Sequence, residues 1–282
     1  MNTVYFNGSY IPKEEVRISP DDRGFLFADG IYEVLIAYGG QWFRRSAHLA
    51  RMANGLRALR INGADPAAVG AAVDELLVRN GIGAETVCAY IQITRGVAPR
   101  KHSFPASDTP PTVYAQLMPF VRKAKVDTGV AVITVPDNRW ARCDVKSVAL
   151  LPNCLANQRA QEAGAYEALF VRDGVVLEAT ASSLFAVYDG VARTAPNTNY
   201  TLPSITRDVV LAICMQEGIP FAERPIFLHE LFDADELFLA GTTTEISPIV
   251  QVDGRPIGDG RPGPFTKRMV ELFRAETEEV AT

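Results

Sequence analysis

In the first 120 residues, short hydrophobic runs alternate with polar positions and are separated by glycine-containing turns, a pattern that predicts strands. The turns Asn7-Gly8 and Gly39-Gly40 predict hairpins over residues 3–11 and 31–44. Two further strands are expected over residues 86–94 and 112–118. Between them, apolar residues spaced three or four apart predict one helix capped by Ser46 and another that begins at Asp65-Pro66.

The second part of the chain alternates between strand and helix patterns without an internal repeat. Strands are predicted over residues 130–135, 167–171, 175–179, 183–187, 236–240 and 249–252. Helices are predicted to end near Gly164, to begin near Ser204 and to begin at Pro264. Residues 120–127 are charged and weakly patterned, which is typical of a linker. We therefore expect an α+β protein with a small N-terminal domain (1–119), a linker (120–127) and a larger domain (128–282).

Composition narrows the function classes. The 282 residues carry a formal net charge of -5, which gives no electrostatic reason to expect a nucleic-acid partner. No apolar run is long enough for a transmembrane helix, and the N-terminus lacks the pattern of a secretory signal. The four cysteines are far apart, and the three histidines do not suggest a metal site. We expect a cytoplasmic protein without a membrane span or a metal.

Lys146 is one of six lysines and the one that leads into an apolar run, residues 148–152. Apolar neighbours disfavour the charged form of an amine, and the neutral amine can attack a carbonyl. The alternative is a lysine at a strand end whose stem packs while its head reaches water. The local sequence leaves both interpretations open.

Three other segments suggest chemistry, each with a simpler alternative. Ser204 and Thr206 stand where a helix begins, which favours phosphate binding, although Ser204 can also be an ordinary N-cap. Thr242 opens a polar Thr-Thr-Thr-Glu turn after an apolar strand; such a turn can bind the same anion or serve only as a turn. Glu178 ends an apolar strand and needs a partner, either a protonated pyridine nitrogen or an arginine such as Arg139.

The segment 95–105 is a loop punctuated by glycine and proline that carries Arg95, Arg100, Lys101 and His102. An arginine on such a loop can bind a substrate carboxylate through two N–H groups. The alternative is a basic loop that is simply solvated.

Taken together, these segments resemble the fold-type IV pyridoxal-phosphate enzymes, and most closely the D-amino-acid aminotransferases. The resemblance includes Asp-Arg-Gly-Phe-Leu-Phe-Ala-Asp-Gly at residues 22–30 and the Arg-Lys-His sequence at residues 100–102. It extends along almost the whole chain, over residues 22–34, 48–52, 95–105, 139–156, 177–178, 204–208 and 242–246. The chain departs from the family pattern at Ser204, where a glycine is expected, and in residues 179–183.

The resemblance implies a two-domain fold with a mainly antiparallel, barrel-like sheet in the larger domain, and pyridoxal 5'-phosphate as cofactor. It implies that Lys146 forms the Schiff base and carries the proton. Glu178 would face the pyridine nitrogen and Leu202 would pack on the ring. Arg51, Ser204, Ile205, Thr206 and Thr242 would surround the phosphate, while Tyr32, Arg100 and His102 would bind the substrate carboxylate.

The implied reaction is transamination between D-amino acids, such as D-alanine or D-glutamate, and 2-oxo acids such as pyruvate or 2-oxoglutarate. A homodimer is implied as well, with the loop of Arg100 and His102 completing the partner's site. The alternatives are a branched-chain L-amino-acid aminotransferase, an aminodeoxychorismate lyase or an (R)-amine transaminase on the same fold. An alternative of another class is a non-catalytic vitamin B6-binding or scaffold protein.

Overall fold

The computed structural model describes residues 1–122 and 126–281. Contacts divide the chain into two compact units. The first unit comprises residues 1–121, 145–149 and 278–282, and the second comprises residues 122–144 and 150–277. The domain bounds expected from the sequence stay a prediction, and residues 123–125 of the expected linker lie outside the described residues.

The first unit is a sheet covered by helices. Its strands are β1 (Thr3–Phe6), β2 (Ser9–Pro12), β3 (Gly30–Tyr38), β4 (Gln41–Trp42), β5 (Val87–Thr94) and β6 (Thr112–Pro119), and its helices are α1 (Arg23–Phe27), α2 (Arg45–Leu59) and α3 (Pro66–Arg79), with a 3-10 turn at Lys13–Glu15. The described strands pair in the order β2-β1-β6-β5-β3-β4. Alternate residues of β3, β5 and β6 pack with apolar residues of α2 and α3 to form the core.

The predicted elements of this unit are present, with two differences. Strand β4 ends at Trp42 rather than Arg44, because Arg44 adopts a left-handed conformation (φ 51°) and turns the chain into α2. For the same reason Ser46 is not the cap that was predicted: α2 begins at Arg45, and its N-cap position is Arg44, which makes no side-chain capping bond. Asp65 does cap α3, since its carboxylate accepts from the Ala67 N–H. Helix α1 was not predicted.

The second unit contains the larger sheet. Its strands are β7 (Val130–Pro136), β8 (Glu167–Arg172), β9 (Val175–Ala179), β10 (Ser183–Tyr188), β11 (Val191–Thr194), β12 (Phe221–Glu223), β13 (Ile226–Phe227), β14 (Glu236–Gly241), β15 (Glu245–Val252) and β16 (Arg255–Pro256). Its helices are α4 (Leu151–Glu162), α5 (Ile205–Gln216) and α6 (Pro264–Ala281), with a 3-10 turn at Leu231–Asp233; the last residues of α6 cluster with the first unit.

Six of these described strands close into a ring. They follow the order β10-β14-β15-β7-β8-β9, and the pairing of Ser183 on β10 with Glu178 on β9 completes the circle. The pairs β15–β7 and β7–β8 are parallel and the other pairs in the ring are antiparallel. Apolar side chains from all six strands fill the interior. The predicted α+β class and the mainly antiparallel, barrel-like sheet are therefore confirmed.

In the part of the chain that the structure describes, no helix has the length and apolar character needed to cross a membrane. The same residues contain no cluster of three or more histidine, cysteine, aspartate or glutamate side chains that could bind a metal ion.

Candidate active site

Lys146 belongs to a short extended segment of the first unit that runs beside β3. The Lys146 carbonyl accepts from the Tyr32 N–H (3.0 Å), and Ser147 forms a β-bridge with Ile31. This pairing directs the half-buried lysine side chain toward Tyr32, and its Nζ lies 4.3 Å from the centre of the Tyr32 ring. An ammonium group at this distance from an aromatic face is stabilised by a cation–π interaction. The structure thus brings together the predicted Schiff-base lysine and one predicted substrate-binding residue.

Arg51 is held by a buried carboxylate. Its Nε and Nη2 donate to Glu33 at 2.7 and 2.8 Å, and Nδ1 of His48 lies 3.0 Å from the same carboxylate. Burial raises the pKa of Glu33, but the charge of Arg51 and the hydrogen bonds from Arg51 and His48 outweigh it and lower the pKa to about 2. Glu33 is therefore ionised and fixes the orientation of the Arg51 guanidinium.

His48 is the third member of this cluster. Burial lowers the pKa of His48, and the charges of Arg51 and Lys146 lower it further, against the opposing effect of Glu33. A neutral imidazole whose Nδ1 faces a carboxylate carries its proton on Nδ1 and leaves Nε2 as an acceptor. Glu33 and His48 were not singled out from the sequence. A lone glutamate in an apolar strand, and a histidine and an arginine three residues apart on one helix, were the available signals.

Arg100 and His102 lie on an exposed turn and share one aromatic neighbour. The Arg100 guanidinium is 5.3 Å from the ring centre of Phe27, and the His102 ring meets the same ring edge to face at 5.8 Å. Arg95, at the start of the loop, is not exposed. Its guanidinium binds both oxygens of Asp29 and donates to the carbonyls of Leu59 and Arg60. Arg95 therefore supports the loop and is not a candidate for substrate binding.

In the second unit, Glu178 is buried and bound on both oxygens. Oε1 accepts from the Arg139 guanidinium, and Oε2 accepts from the Leu202 N–H at 2.9 Å. Arg139 also binds Asp137. Burial raises the pKa of Glu178, and Arg139 opposes this shift. The predicted residues Glu178 and Leu202 are thus in direct contact, and the alternative partner considered for Glu178, Arg139, is also present.

Three of the predicted phosphate-binding residues, Ser204, Ile205 and Thr206, lie where α5 begins. Ser204 is the N-cap and accepts from the Arg207 N–H (3.3 Å), so the serine that replaces an expected glycine caps the helix. Ile205 and Thr206 are the first two residues of α5, whose N–H groups have no partner within the helix. Helix α5 packs against β14, and Thr242 follows β14 directly. These residues together suit an anion.

Near the turn of Thr242, buried Glu167 accepts hydrogen bonds from hydroxyl and backbone groups of residues 180–182. Thr244, in the same turn as Thr242, lies 2.9 Å from the Ser182 hydroxyl. The network joins the turn of Thr242 to the strand connection that follows Glu178. Glu167 was not singled out from the sequence, where it is a strand glutamate like many others.

The family model, the relatives and the solved structure that match this chain are all aminotransferases. The family model described as amino-transferase class IV matches residues 30–252. The chain is 38% identical to the D-alanine aminotransferase of Staphylococcus haemolyticus, with 99% of each chain covered. It is 39% identical to the D-alanine aminotransferase of Bacillus licheniformis, with 94% of each covered. It also resembles the crystal structure of a T.th. branched-chain amino acid aminotransferase with pyridoxamine 5'-phosphate, with a TM-score of 0.89, 28% identity, and 98% and 94% of the two chains covered.

Proposed function

The chain belongs to the class IV aminotransferase family, and on that premise we propose that it transfers amino groups between D-amino acids and 2-oxo acids. It is an enzyme, and its cofactor is pyridoxal 5'-phosphate. The observation that carries the substrate assignment is the pair Arg100 and His102, presented on one turn against Phe27. The two relatives of 38% and 39% identity, both D-alanine aminotransferases, support the same assignment.

The residues present fit the cofactor. A ring nitrogen needs an ionised carboxylate, and Glu178 is a buried carboxylate with acceptor capacity beyond its bonds to Arg139 and Leu202. A phosphate needs clustered donors, which the start of α5 supplies. Arg51, whose guanidinium is held in a fixed orientation by Glu33, is proposed as a further phosphate ligand because of the family resemblance. Bound pyridoxal phosphate supplies an aldehyde that links covalently to amines and a ring that takes up electrons.

The chain's own residues then have distinct tasks. Lys146 Nζ would hold the cofactor through its aldehyde, and its free amine would act as the general base that removes the proton from the substrate Cα. Tyr32 keeps the Lys146 amine over its ring, which limits the positions that Nζ can occupy. Glu178 would face the ring nitrogen and favour its protonated form. Arg100 and His102 bind the carboxylate and so select the face of the substrate from which the proton leaves.

Two further proposals concern the setting of the enzyme. We propose a homodimer in which the turn of Arg100 and His102 completes the partner's site. Both side chains are exposed on a single chain, which agrees with that role. We also propose that the enzyme acts in the cytoplasm, on the basis of its composition and its separated cysteines.

The assignment is tested by comparing D-alanine with L-leucine as donors to 2-oxoglutarate. We expect turnover with the D-donor. Faster turnover of L-leucine would instead favour a branched-chain aminotransferase, the class of the solved structure at 28% identity. Pyruvate formed from aminodeoxychorismate without an acceptor would indicate the lyase.

Lys146→Ala tests the role of the lysine and should abolish turnover with every donor. The matched control is Lys267→Ala, an exposed lysine on α6, which should retain wild-type activity. Multiple turnover by Lys146→Ala at a rate near that of the wild type would refute the assignment.

A further inference from the structure

The turn that carries Arg100 and His102 is exposed, yet its backbone is bound by a buried arginine. Arg23, with 4% of its side chain exposed, donates from Nη1 to the Lys101 carbonyl at 2.7 Å and to the Ser103 carbonyl at 3.4 Å. These two carbonyls belong to the residues on either side of His102. A single guanidinium nitrogen therefore fixes the peptide backbone on both sides of that side chain.

Arg23 is itself fixed by the ion pairs beneath the turn. Its Nε donates to Asp29 at 2.8 Å, and Asp29 also binds Arg95 at 2.8 and 2.9 Å. The Arg23 N–H donates to the Gly96 carbonyl at 2.9 Å, so α1 is joined to the start of the loop as well. Asp29 thus connects two arginines, one that holds the base of the loop and one that holds its tip.

Arg23 binds the backbone of the turn, whereas Phe27 lies near the side chains of Arg100 and His102. Its ring lies 4.8 Å from the Arg23 guanidinium, 5.3 Å from that of Arg100 and 5.8 Å from the His102 ring. Arg23 therefore orders the backbone of the turn, and Phe27 limits the directions of the two side chains. None of these contacts uses the reacting groups.

We propose that Arg23 is a positioning residue for carboxylate recognition, acting through Arg100 and His102 with the support of Asp29 and Phe27. This inference rests on the proposed function of the turn. Lysine cannot replace Arg23. The guanidinium binds the Asp29 carboxylate and the carbonyls of Lys101 and Ser103 through different nitrogens in fixed directions, and a single ammonium group cannot reach all three. Bidentate recognition is lost when its donors shift, while the proton-transfer group Lys146, which takes part in none of the contacts described above, stays in place.

The experiment measures steady-state kinetics of Arg23→Lys with D-alanine and 2-oxoglutarate. We expect KM for D-alanine to rise about tenfold while kcat changes less than about twofold, as for the loss of substrate binding alone. Arg45→Lys is the matched control. It alters an arginine that binds Asp74 elsewhere in the first unit, and it should leave both constants unchanged.

A second comparison separates positioning from general support of the fold. In a protein that carries Arg100→Ala and His102→Ala, Arg23→Lys should raise KM less than about twofold, because residues that act through one another are not additive. Phe27→Leu retains the buried ion pairs and should raise KM in the wild-type background by about threefold. This variant keeps the inference testable if Arg23→Lys does not fold.

The outcomes are distinct. The inference is overturned if KM is unchanged in folded Arg23→Lys or Phe27→Leu. It is also overturned if the KM increase is equally large without the Arg100 and His102 side chains. In both cases the wild type still turns over D-alanine, and the proposed function stands. A wild type that does not turn over D-alanine overturns the proposed function and this inference together.

Discussion

Glu33→Gln removes a charge that the first unit keeps almost entirely buried. Glu33 has 1% of its side chain exposed and binds Arg51 through two hydrogen bonds and His48 through a third. Glutamine has the same size, but only one of its terminal atoms is an acceptor. The substitution therefore removes the negative charge that faces Arg51 and places an amide N–H against the donors of Arg51 or His48.

The expected loss in the free energy of unfolding follows from the pKa of Glu33. The interactions with Arg51 and His48 overcome the effect of burial and lower that pKa from 4.5 to about 2. At ~1.4 kcal/mol per unit, the shift corresponds to about 3 kcal/mol of stability. Removal of one partner from a buried ion pair costs a similar amount, about 3–5 kcal/mol. Because the folded-state pKa is the lower one, this stabilisation is complete above pH 4.5 and is lost as the pH falls toward 2.

The assay is urea unfolding followed by indole fluorescence in a Trp140→Phe background. The chain has two tryptophans, so this background reports on Trp42 alone, which lies in the first unit. At pH 7 we expect Glu33→Gln to lower the free energy of unfolding by about 3 kcal/mol. The difference between parent and variant should shrink as the pH is lowered from 4.5 toward 3.

The matched control is Glu75→Gln, a glutamate of α3 that is paired with Arg79 and is 41% exposed. It should change the free energy of unfolding by less than about 0.5 kcal/mol. A loss below about 1 kcal/mol for Glu33→Gln at pH 7 would refute the reasoning. So would a loss that stays constant from pH 7 to pH 3, because the stabilisation then does not depend on ionised Glu33.

Two further pairs of substitutions test local structural features. Ala28→Gly should raise the free energy of unfolding by about 1 kcal/mol, since Ala28 ends α1 with a left-handed φ of 54°. Ala71→Gly, exposed within α3, should lower it by about 1 kcal/mol; urea unfolding that gives both changes the same sign would contradict the argument. Ser204→Ala should cost about 1 kcal/mol because it removes the cap of α5, whereas Ser204→Thr should retain most of it. An unchanged urea midpoint for Ser204→Ala would show that the cap does not stabilise the protein.

Most of the elements that the sequence predicted are long enough to show a period or, like β1, β2 and β4, flank a glycine-containing turn. Strand β3 and helices α2 and α3 each present several turns or alternations of apolar residues. Strands β12, β13 and β16 have only two or three residues and were missed, because so few positions carry no pattern. Closure of the ring depends on the pairing of Ser183 with Glu178, which no local preference reveals.

For the side chains of the candidate site, too, the sequence identified single residues but not the contacts between them. Lys146, Glu178 and Arg51 were located as individual residues, but the identity of their neighbours depends on the fold. Arg51 meets Glu33 across 18 positions of sequence, and Arg95 meets Asp29 across 66. The order of charged residues along the chain does not predict which of them form such distant pairs. Arg95 illustrates the consequence: in the sequence it is one of several basic residues of a loop, and in the structure it is a buried support.

The two partners considered for Glu178 are compatible, because an ionised carboxylate has about four acceptor positions. Arg139 and the Leu202 N–H use one position on each oxygen. Arg139 also opposes the effect of burial, which raises the pKa of Glu178 and would otherwise favour the neutral acid. A neutral acid cannot hold a proton on a pyridine nitrogen, whereas a carboxylate can. Arg139 is therefore not a competitor of the pyridine nitrogen for Glu178; its positive charge opposes the effect of burial and so favours the ionised form that this role requires.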